Sequence, residues 1–282
     1  MSQKQIQWFP GHMAKARRQM EENLKKVDFI IEIRDARIPE SSENPLLGEI
    51  AQNKPRLIIL SKKDKADKAA TKAWSEALEK QGYAVLALDQ IHENFRQPLI
   101  KASKELCKPL IEKQLRRGIR PRALRAMVVG IPNVGKSTMI NTLAKRKAAR
   151  TGDTPGVTKA LQWIRLDKDL ELLDTPGVLW PKFEDREIGE RLALLGSIKD
   201  EVVSMDDLAL FAVGWLMEHQ PETLKDYYKI ELQETPYDTL REIGRVRGYL
   251  KNGDIDEDRL MRSVVKDIRE NRLGPITWEL PA

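Results

Sequence analysis

Ala126-Met127-Val128-Val129-Gly130-Ile131-Pro132-Asn133-Val134-Gly135-Lys136-Ser137-Thr138 is the stretch that decides the fold of this 282-residue chain. Four apolar residues run straight into Gly130, and a helical pattern continues to about Lys145. Residues 130–137 fit GxxxxGK[S/T] between a strand and a helix, the setting that a phosphate-binding loop requires. Its glycines let the backbone curl so that N–H groups surround a β-phosphate. Lys136 supplies a point charge to the β and γ oxygens, and the Ser137 hydroxyl ligates Mg2+. Asn133, Val134, Gly135 and Thr138 complete the expected nucleotide contacts.

Downstream, a second strand ends at Asp174-Thr175-Pro176-Gly177. Phosphate-loop proteins place there an aspartate facing the magnesium shell and a glycine whose N–H meets the γ-phosphate. Between the two motifs a threonine should complete the magnesium shell. Thr158, after Pro155-Gly156-Val157, is the first choice and Thr154 the second. The residue after Gly177 is Val178, which can neither donate nor accept a side-chain hydrogen bond, so the glutamine that often orients attacking water is missing.

The base is read elsewhere. Ser61-Lys62-Lys63-Asp64 follows the apolar strand 57–60 and is similar to the GTPase [N/T]KxD signature, with Ser61 in place of Asn or Thr. A carboxylate at Asp64 accepts hydrogen bonds from guanine N1–H and its exocyclic amine, and adenine offers no such pair. The second base-contacting loop should follow the strand 83–88, near Asp89 and Gln90, although no SA[K] pattern stands there.

Strands at 29–33, 56–60 and 83–88 alternate with helical patterns, 68–81 among them, which predicts parallel βαβ units with ligands beyond the carboxyl ends of the strands. A helix over 101–115 and a linker over 116–122 lead to the phosphate loop, and residues 162–166 and 170–173 read as a hairpin. Beyond Pro181 the strand signals stop, and 187–195, 205–218, 236–250 and 256–271 read as amphipathic helices. The expected class is α/β: a doubly wound, mostly parallel sheet over residues 1–180 and an all-helical domain over 181–282. The guanine motif precedes the phosphate loop, so the motif set is circularly permuted, which surface termini permit.

Apolar residues make up 41% and charged residues 33%, the composition of a folded chain. The longest apolar run, 208–217, is far short of the roughly 18 residues of a membrane span, so no membrane partner is expected. One cysteine, Cys107, excludes an internal disulfide and fits a reducing compartment. With no signal-peptide pattern at the N-terminus, a cytoplasmic location is expected. Residues 1–180 hold 34 Lys+Arg against 21 Asp+Glu, and the remainder 15 against 22. The basic excess is densest at 101–125 and at Lys145, Arg146, Lys147 and Arg150, and it points to a polyanionic partner or to a solvated basic face.

These motifs, with WFPGHMAKARR at the start, DARIP at Asp35 to Pro39, GIPNVGKST and DTPGVLWPK, closely resemble the bacterial ribosome biogenesis GTPase A family over nearly the whole chain. The resemblance implies GTP/GDP as ligand and a monomer. It also implies late assembly of the large (50S) ribosomal subunit, with rRNA and ribosomal proteins of the precursor particle as partners. It makes the tail an ANTAR-like RNA-binding domain, whose contacts would rest on Arg241, Arg245, Arg247 and Lys251, or on Arg262, Lys266, Arg269 and Arg272. It places this chain among GTPases with a hydrophobic residue at the glutamine position. His12 is then a candidate to position water, against a helix-capping or rRNA-contacting role, and Asn133 matches the asparagine of K+-activated members. Two rivals stay open: a GTP-gated RNA- or protein-binding module with incidental hydrolysis, and a P-loop ATPase or kinase, which Asp64 argues against.

Overall fold

The structure is a computed structural model that describes residues 11–51, 54–144, 161–166, 168–179, 185–200 and 202–281. In chain order the elements are α1 (Gly11–Leu24), β1 (Phe29–Asp35), α2 (Pro45–Ala51), β2 (Arg56–Ser61), a 3-10 turn (Lys63–Lys65), α3 (Lys68–Lys80) and β3 (Ala84–Leu88). There follow α4 (Arg96–Leu106), α5 (Lys108–Arg116), β4 (Leu124–Val129), α6 (Lys136–Ala144), β5 (Gln162–Arg165) and β6 (Leu170–Asp174). The last part holds α7 (Arg186–Leu194), α8 (Met205–His219), α9 (Pro221–Tyr228), α10 (Pro236–Val246), β7 (Leu250–Lys251), β8 (Asp254–Ile255) and α11 (Glu257–Arg269).

The strands β1–β6 form one sheet in the order β3-β2-β1-β4-β6-β5, parallel except for the hairpin β5/β6. β1 is buried along its whole length, as a strand covered on both faces must be, and its apolar run FII reflects that. From the β1/β4 boundary the chain winds outward in both directions. Right-handed crossovers therefore put helices on both faces and open a crevice at the carboxyl ends of β1 and β4, where the winding reverses. The guanine motif ends β2 and the phosphate loop ends β4, so both motifs open onto that crevice. This strand order is the permuted P-loop architecture that the motif order predicts.

Local chemistry explains most element ends. Asp67 caps α3 by accepting from the Ala70 N–H at 2.7 Å, and Gly82 closes it in the left-handed region at φ +90°. The single helix expected over 101–115 is instead two. Pro109 has no N–H to give back to Glu105, and the chain turns at the buried Cys107 before α5 begins. The helix expected over 236–250 stops at Val246, with Gly248 at φ +65° beyond it. Two elements had no clear signal: α9, a short helix opened by Pro221, and the β7/β8 hairpin about Asn252-Gly253, both at positive φ as a type I′ turn needs.

A continuous apolar cluster joins Met20, Leu24 and the strands to Leu208, Val213, Leu260 and Trp278. A second, smaller one lies beneath α3, built from Ile58, Leu60, Trp74 and Leu78. Among the described residues, no helix is long and apolar enough to cross a membrane.

Candidate functional site: a phosphate loop joined to a base-reading turn

β4 delivers the chain to Gly130, whose φ is +152°. A Cβ there would lie 2.6 Å from the Ile33 carbonyl oxygen, so only glycine fits between β1 and the loop. Asn133 (φ +58°) and Gly135 (φ +103°) continue the curl. Two groups from the β2 end hold this curve from outside. Lys62 Nζ donates to the Asn133 carbonyl at 2.8 Å, and Ser61 Oγ lies 2.6 Å from that of Val134. In a planar trans peptide the N–H opposes the C=O, so these bonds turn the N–H groups of Val134 and Gly135 to the opposite side of the loop. Lys136 opens α6 and its ammonium meets the carbonyls of Gly130 (3.0 Å) and Ile131 (2.7 Å). Burial lowers its pKa to about 8, with Asp174 opposing the shift. Ser137 and Thr138 stand half-buried in the first turn of α6, where the helix dipole favours an anion.

β6 runs parallel to β4 and places Asp174 in the same crevice. Its carboxyl is 1% exposed, its pKa is raised to about 6 by burial against the pull of Lys136, and its Oδ1 has no hydrogen-bond partner. An orphaned buried carboxylate oxygen beside a phosphate loop fits the donor set of a magnesium shell, in which ligated water supplies the missing proton. Thr175 fastens the strand end by donating to the Val128 carbonyl at 2.6 Å. At Gly177 a Cβ would lie 2.8 Å from Cα and N of Pro132 and 3.0 Å from Lys136 Nζ. The glycine thus lets the two motifs touch. Val178 is 2% exposed. Its N–H donates to the Gly130 carbonyl at 3.4 Å and its own carbonyl accepts from Asn44 Nδ2 at 2.6 Å.

On the base side, Ser61 is buried and its Oγ also lies 3.0 Å from the Arg34 carbonyl. A hydroxyl has one proton, and the shorter contact assigns it to Val134. Ser61 therefore ties the base motif to the phosphate loop. Ser61→Ala leaves a buried carbonyl unpaired at about 1–3 kcal/mol, and a fluorescent guanine-nucleotide titration should show affinity falling about tenfold. Lys62 sits at φ +56°, and its ammonium also meets Asp35 Oδ2 at 2.8 Å. Lys63 pairs with Glu93 at 2.7 Å, and Asp64 stands exposed at the start of the 3-10 turn.

Asp35 is the hub beneath that turn. Arg37 grips it through its backbone N–H (3.1 Å), Nε (2.9 Å) and Nη2 (2.7 Å), and Lys62 adds a fourth bond. Burial alone would raise its pKa, but Arg37 and Lys62 outweigh burial and hold it well below the carboxylate range. A depressed folded pKa gives stability that is present above the unfolded value of about 3.9 and lost as the pH falls below it. Asp35→Asn should destabilise the protein by about 3 kcal/mol at neutral pH, because it strands the buried Arg37 and the partly buried Lys62. It should also flatten the acid limb in urea unfolding between about pH 5 and 3.

The loop after β3 carries Asp89 and Gln90. Asp89 accepts from the N–H groups of Ile91 and His92 (both 3.0 Å) and faces His92 Nδ1 at 2.8 Å, which shapes the turn. Gln90 is buried against the phosphate loop, its Oε1 2.5 Å from where a Cβ on Gly135 would lie. The His12 side chain, Thr154, Thr158 and the basic residues 145–150 lie outside the described residues. Asn44 escaped the sequence reading, and so did the contact of Asn133, whose Nδ2 donates to the Gly196 carbonyl after α7 at 2.7 Å. No local pattern marks either one.

Comparison with known proteins agrees with this architecture. A profile described as 50S ribosome-binding GTPase matches residues 125–240. Ribosome biogenesis GTPase A of Bacillus licheniformis is 49% identical over 280 residues, covering 98% of both chains. Mitochondrial ribosome-associated GTPase 1 of Ictalurus punctatus is 41% identical over 84% of this chain and 75% of its own. Among solved structures, GNP-bound YlqF from T. maritima superposes with a TM-score of 0.64 at 28% identity, covering 95% of this chain and 98% of that one. The chain belongs to the ribosome biogenesis GTPase A family: it binds guanine nucleotide on a circularly permuted P-loop fold and hydrolyses GTP.

Proposed function

We propose that this GTPase is an assembly factor in late maturation of the large (50S) ribosomal subunit, and that it engages the precursor's rRNA and proteins in a GTP-dependent manner. The observation that carries the reading is the pair of bonds that leave the nucleotide motifs for the rest of the chain. Asn133 of the phosphate loop bonds Gly196, and Val178, next to the γ-phosphate glycine, bonds Asn44. A shift of the loop or of the DTPG segment on hydrolysis acts through them on the neighbouring surfaces. Relatives named for ribosome biogenesis and ribosome association support the nature of the partner.

In this reading residues 1–180 form the GTPase domain and 181–282 an RNA-binding helical domain, and the protein works as a cytoplasmic monomer. Lys136 and the Gly177 N–H stabilise charge on the γ-phosphate. Ser137 and Thr158 would hold Mg2+, which would polarise the γ-phosphate, with Asp174 beside its shell. Ser61, Lys62, Lys63, Asp64, Asp89 and Gln90 frame the base. With Val178 in the glutamine position, His12 positions the water, and Asn133 would ligate K+, which would supply positive charge in place of an arginine finger. Equal turnover in sodium and potassium would remove the second assignment. For the first, His12→Ala should lower kcat while GTP affinity holds, and a proportional loss of both would contradict it.

We place the RNA face at the hairpin end of the helical part. Arg269 is occupied by the carbonyls of Ala193 and Leu194 and by Asp200, and Arg272 by Asp267 and Glu270. Arg247 and Lys251 stand exposed about β7/β8, with the Arg247 guanidinium 5.2 and 5.3 Å from the rings of Tyr227 and Tyr228, and the exposed Arg245 pairs with Glu242 at 2.9 Å. Co-sedimentation tests the reading. The chain should pellet with large-subunit particles in a non-hydrolysable GTP analogue and be released in GDP, and equal pelleting with small subunits would contradict it.

A further inference from the structure

The last residues of the chain return to the nucleotide-binding side. Residues 276–279 lie across both supports of the base-reading turn, and they are buried: Ile276 5%, Thr277 3%, Trp278 1% and Glu279 7% exposed. The Ile276 N–H donates to the Lys65 carbonyl at 3.1 Å, and Thr277 Oγ1 accepts from the Asp67 N–H at 3.1 Å. These bonds fix the exit of the turn that carries Asp64. The Trp278 N–H donates to the Arg37 carbonyl at 2.8 Å, and Arg37 grips Asp35, which holds Lys62. Those bonds fix its entry.

The far anchors are equally built. Glu279 takes the N–H groups of Glu40 and Ser41 and the Ser41 hydroxyl on its carboxylate, with Arg191 of α7 at 3.7 Å, and its carbonyl accepts from Trp74 Nε1 at 2.9 Å. The Trp278 indole packs on Trp215 of α8, with ring centroids 4.9 Å apart. One short segment thus bonds the base-reading turn and sits in the apolar core of the helices.

We propose that residues 276–279 form a strap that positions the guanine-recognition turn, so that the C-terminal helices set how accurately Asp64 meets the base. The inference rests on Asp64 reading guanine. It extends the coupling by assigning the base end its own connection to the helices, separate from the one between Asn133 and Gly196 at the phosphate end. Thr277 is a positioning residue: it touches no nucleotide and acts through the backbone beyond Asp64. A misplaced carboxylate loses most where both guanine donors are used, so discrimination between GTP and inosine triphosphate, which lacks the exocyclic amine, reports on its alignment.

The test compares the full-length protein with Thr277→Val, which keeps the volume and removes the acceptor, and Thr277→Ser, which keeps it. The valine variant should bind GTP and GDP about fivefold to tenfold more weakly, with a smaller GTP-to-inosine-triphosphate preference and an unchanged kcat at saturating GTP. The serine variant should restore both. Affinity and preference within twofold of the parent would overturn the proposal. So would equal losses for both nucleotides accompanied by a fall in kcat, the pattern of general destabilisation. Asp64→Asn measured in parallel separates the two levels: if it leaves base selectivity unaltered, the guanine assignment itself fails and the strap has nothing to position.

Discussion

Gly177→Ala should lower kcat for GTP hydrolysis about a hundredfold or more, while GDP affinity changes little. The residue is not held at positive φ, so its requirement is one of space. The added methyl would meet Cα and N of Pro132 at 2.8 Å, and backbone atoms cannot swing aside as a lysine tip can. The DTPG segment must then retreat from the phosphate loop and take with it the N–H proposed for the γ-phosphate. Loss of one such donor to a developing charge costs about 2.7–4 kcal/mol in the transition state, a factor of 100 or more. GDP presents no γ-phosphate and is spared. Single-turnover kinetics together with equilibrium GDP titration checks both halves. A variant with normal turnover would show that close contact of the two motifs is not needed.

The second large effect concerns the base. Asp64→Asn replaces one of two carboxylate acceptors with an NH2 donor, which faces the donors of guanine. A site built to pair a substrate's N–H groups rejects a mismatched partner by up to about 10⁴–10⁵. Loss of a charge-assisted pair at this exposed position should weaken GTP about a hundredfold. Xanthine carries a carbonyl where guanine has its amine, so xanthosine triphosphate should become the better ligand. Competition between the two nucleotides measures it, and a preserved preference for GTP would dismiss Asp64 as the base reader. The geometry that lends this test its sharpness is the rigidity beneath the turn, where Lys62 and Arg37 converge on Asp35.

What the sequence made legible, and what it hid, follows from the reach of each interaction. The phosphate loop, DTPG and the SKKD turn are short patterns at strand ends, and their spacing alone places them around one crevice. The order of those patterns foretold the circularly permuted, mostly parallel fold, because each motif sits at the end of a strand. Asn44 was invisible: its partner Val178 is 134 positions away. The strap was more remote still, with Asp67 and the Thr277 hydroxyl separated by 210 positions, and its other two bonds to the turn, from the Ile276 and Trp278 N–H groups, use backbone groups that every residue has. Asp89 and Gln90 were expected from position alone, without a motif, and the Asp89 carboxylate shapes its own turn. The break at Pro109 was readable in principle, since proline marks helix starts, but the amphipathic pattern runs through it unbroken.

Ser61 shows why a departure from a signature need not signal loss of function. Ser61 still bonds the phosphate loop: its buried hydroxyl lies 2.6 Å from the Val134 carbonyl. Val178 is the opposite case. Its side chain is buried, and only its backbone takes part in hydrogen bonds. The group that orients water must come from elsewhere, in this chain or on the particle it binds. That incompleteness is the core of the functional account, because a GTPase lacking its own glutamine should be slow by itself and quickened by its partner.

GTP turnover by the isolated chain, measured against turnover on purified large ribosomal subunits, tests this most directly. The account predicts stimulation of at least about tenfold, about 1.4 kcal/mol off the barrier, saturating with large subunits and absent with small ones. An unchanged rate across the titration, or equal stimulation by small subunits, would contradict it.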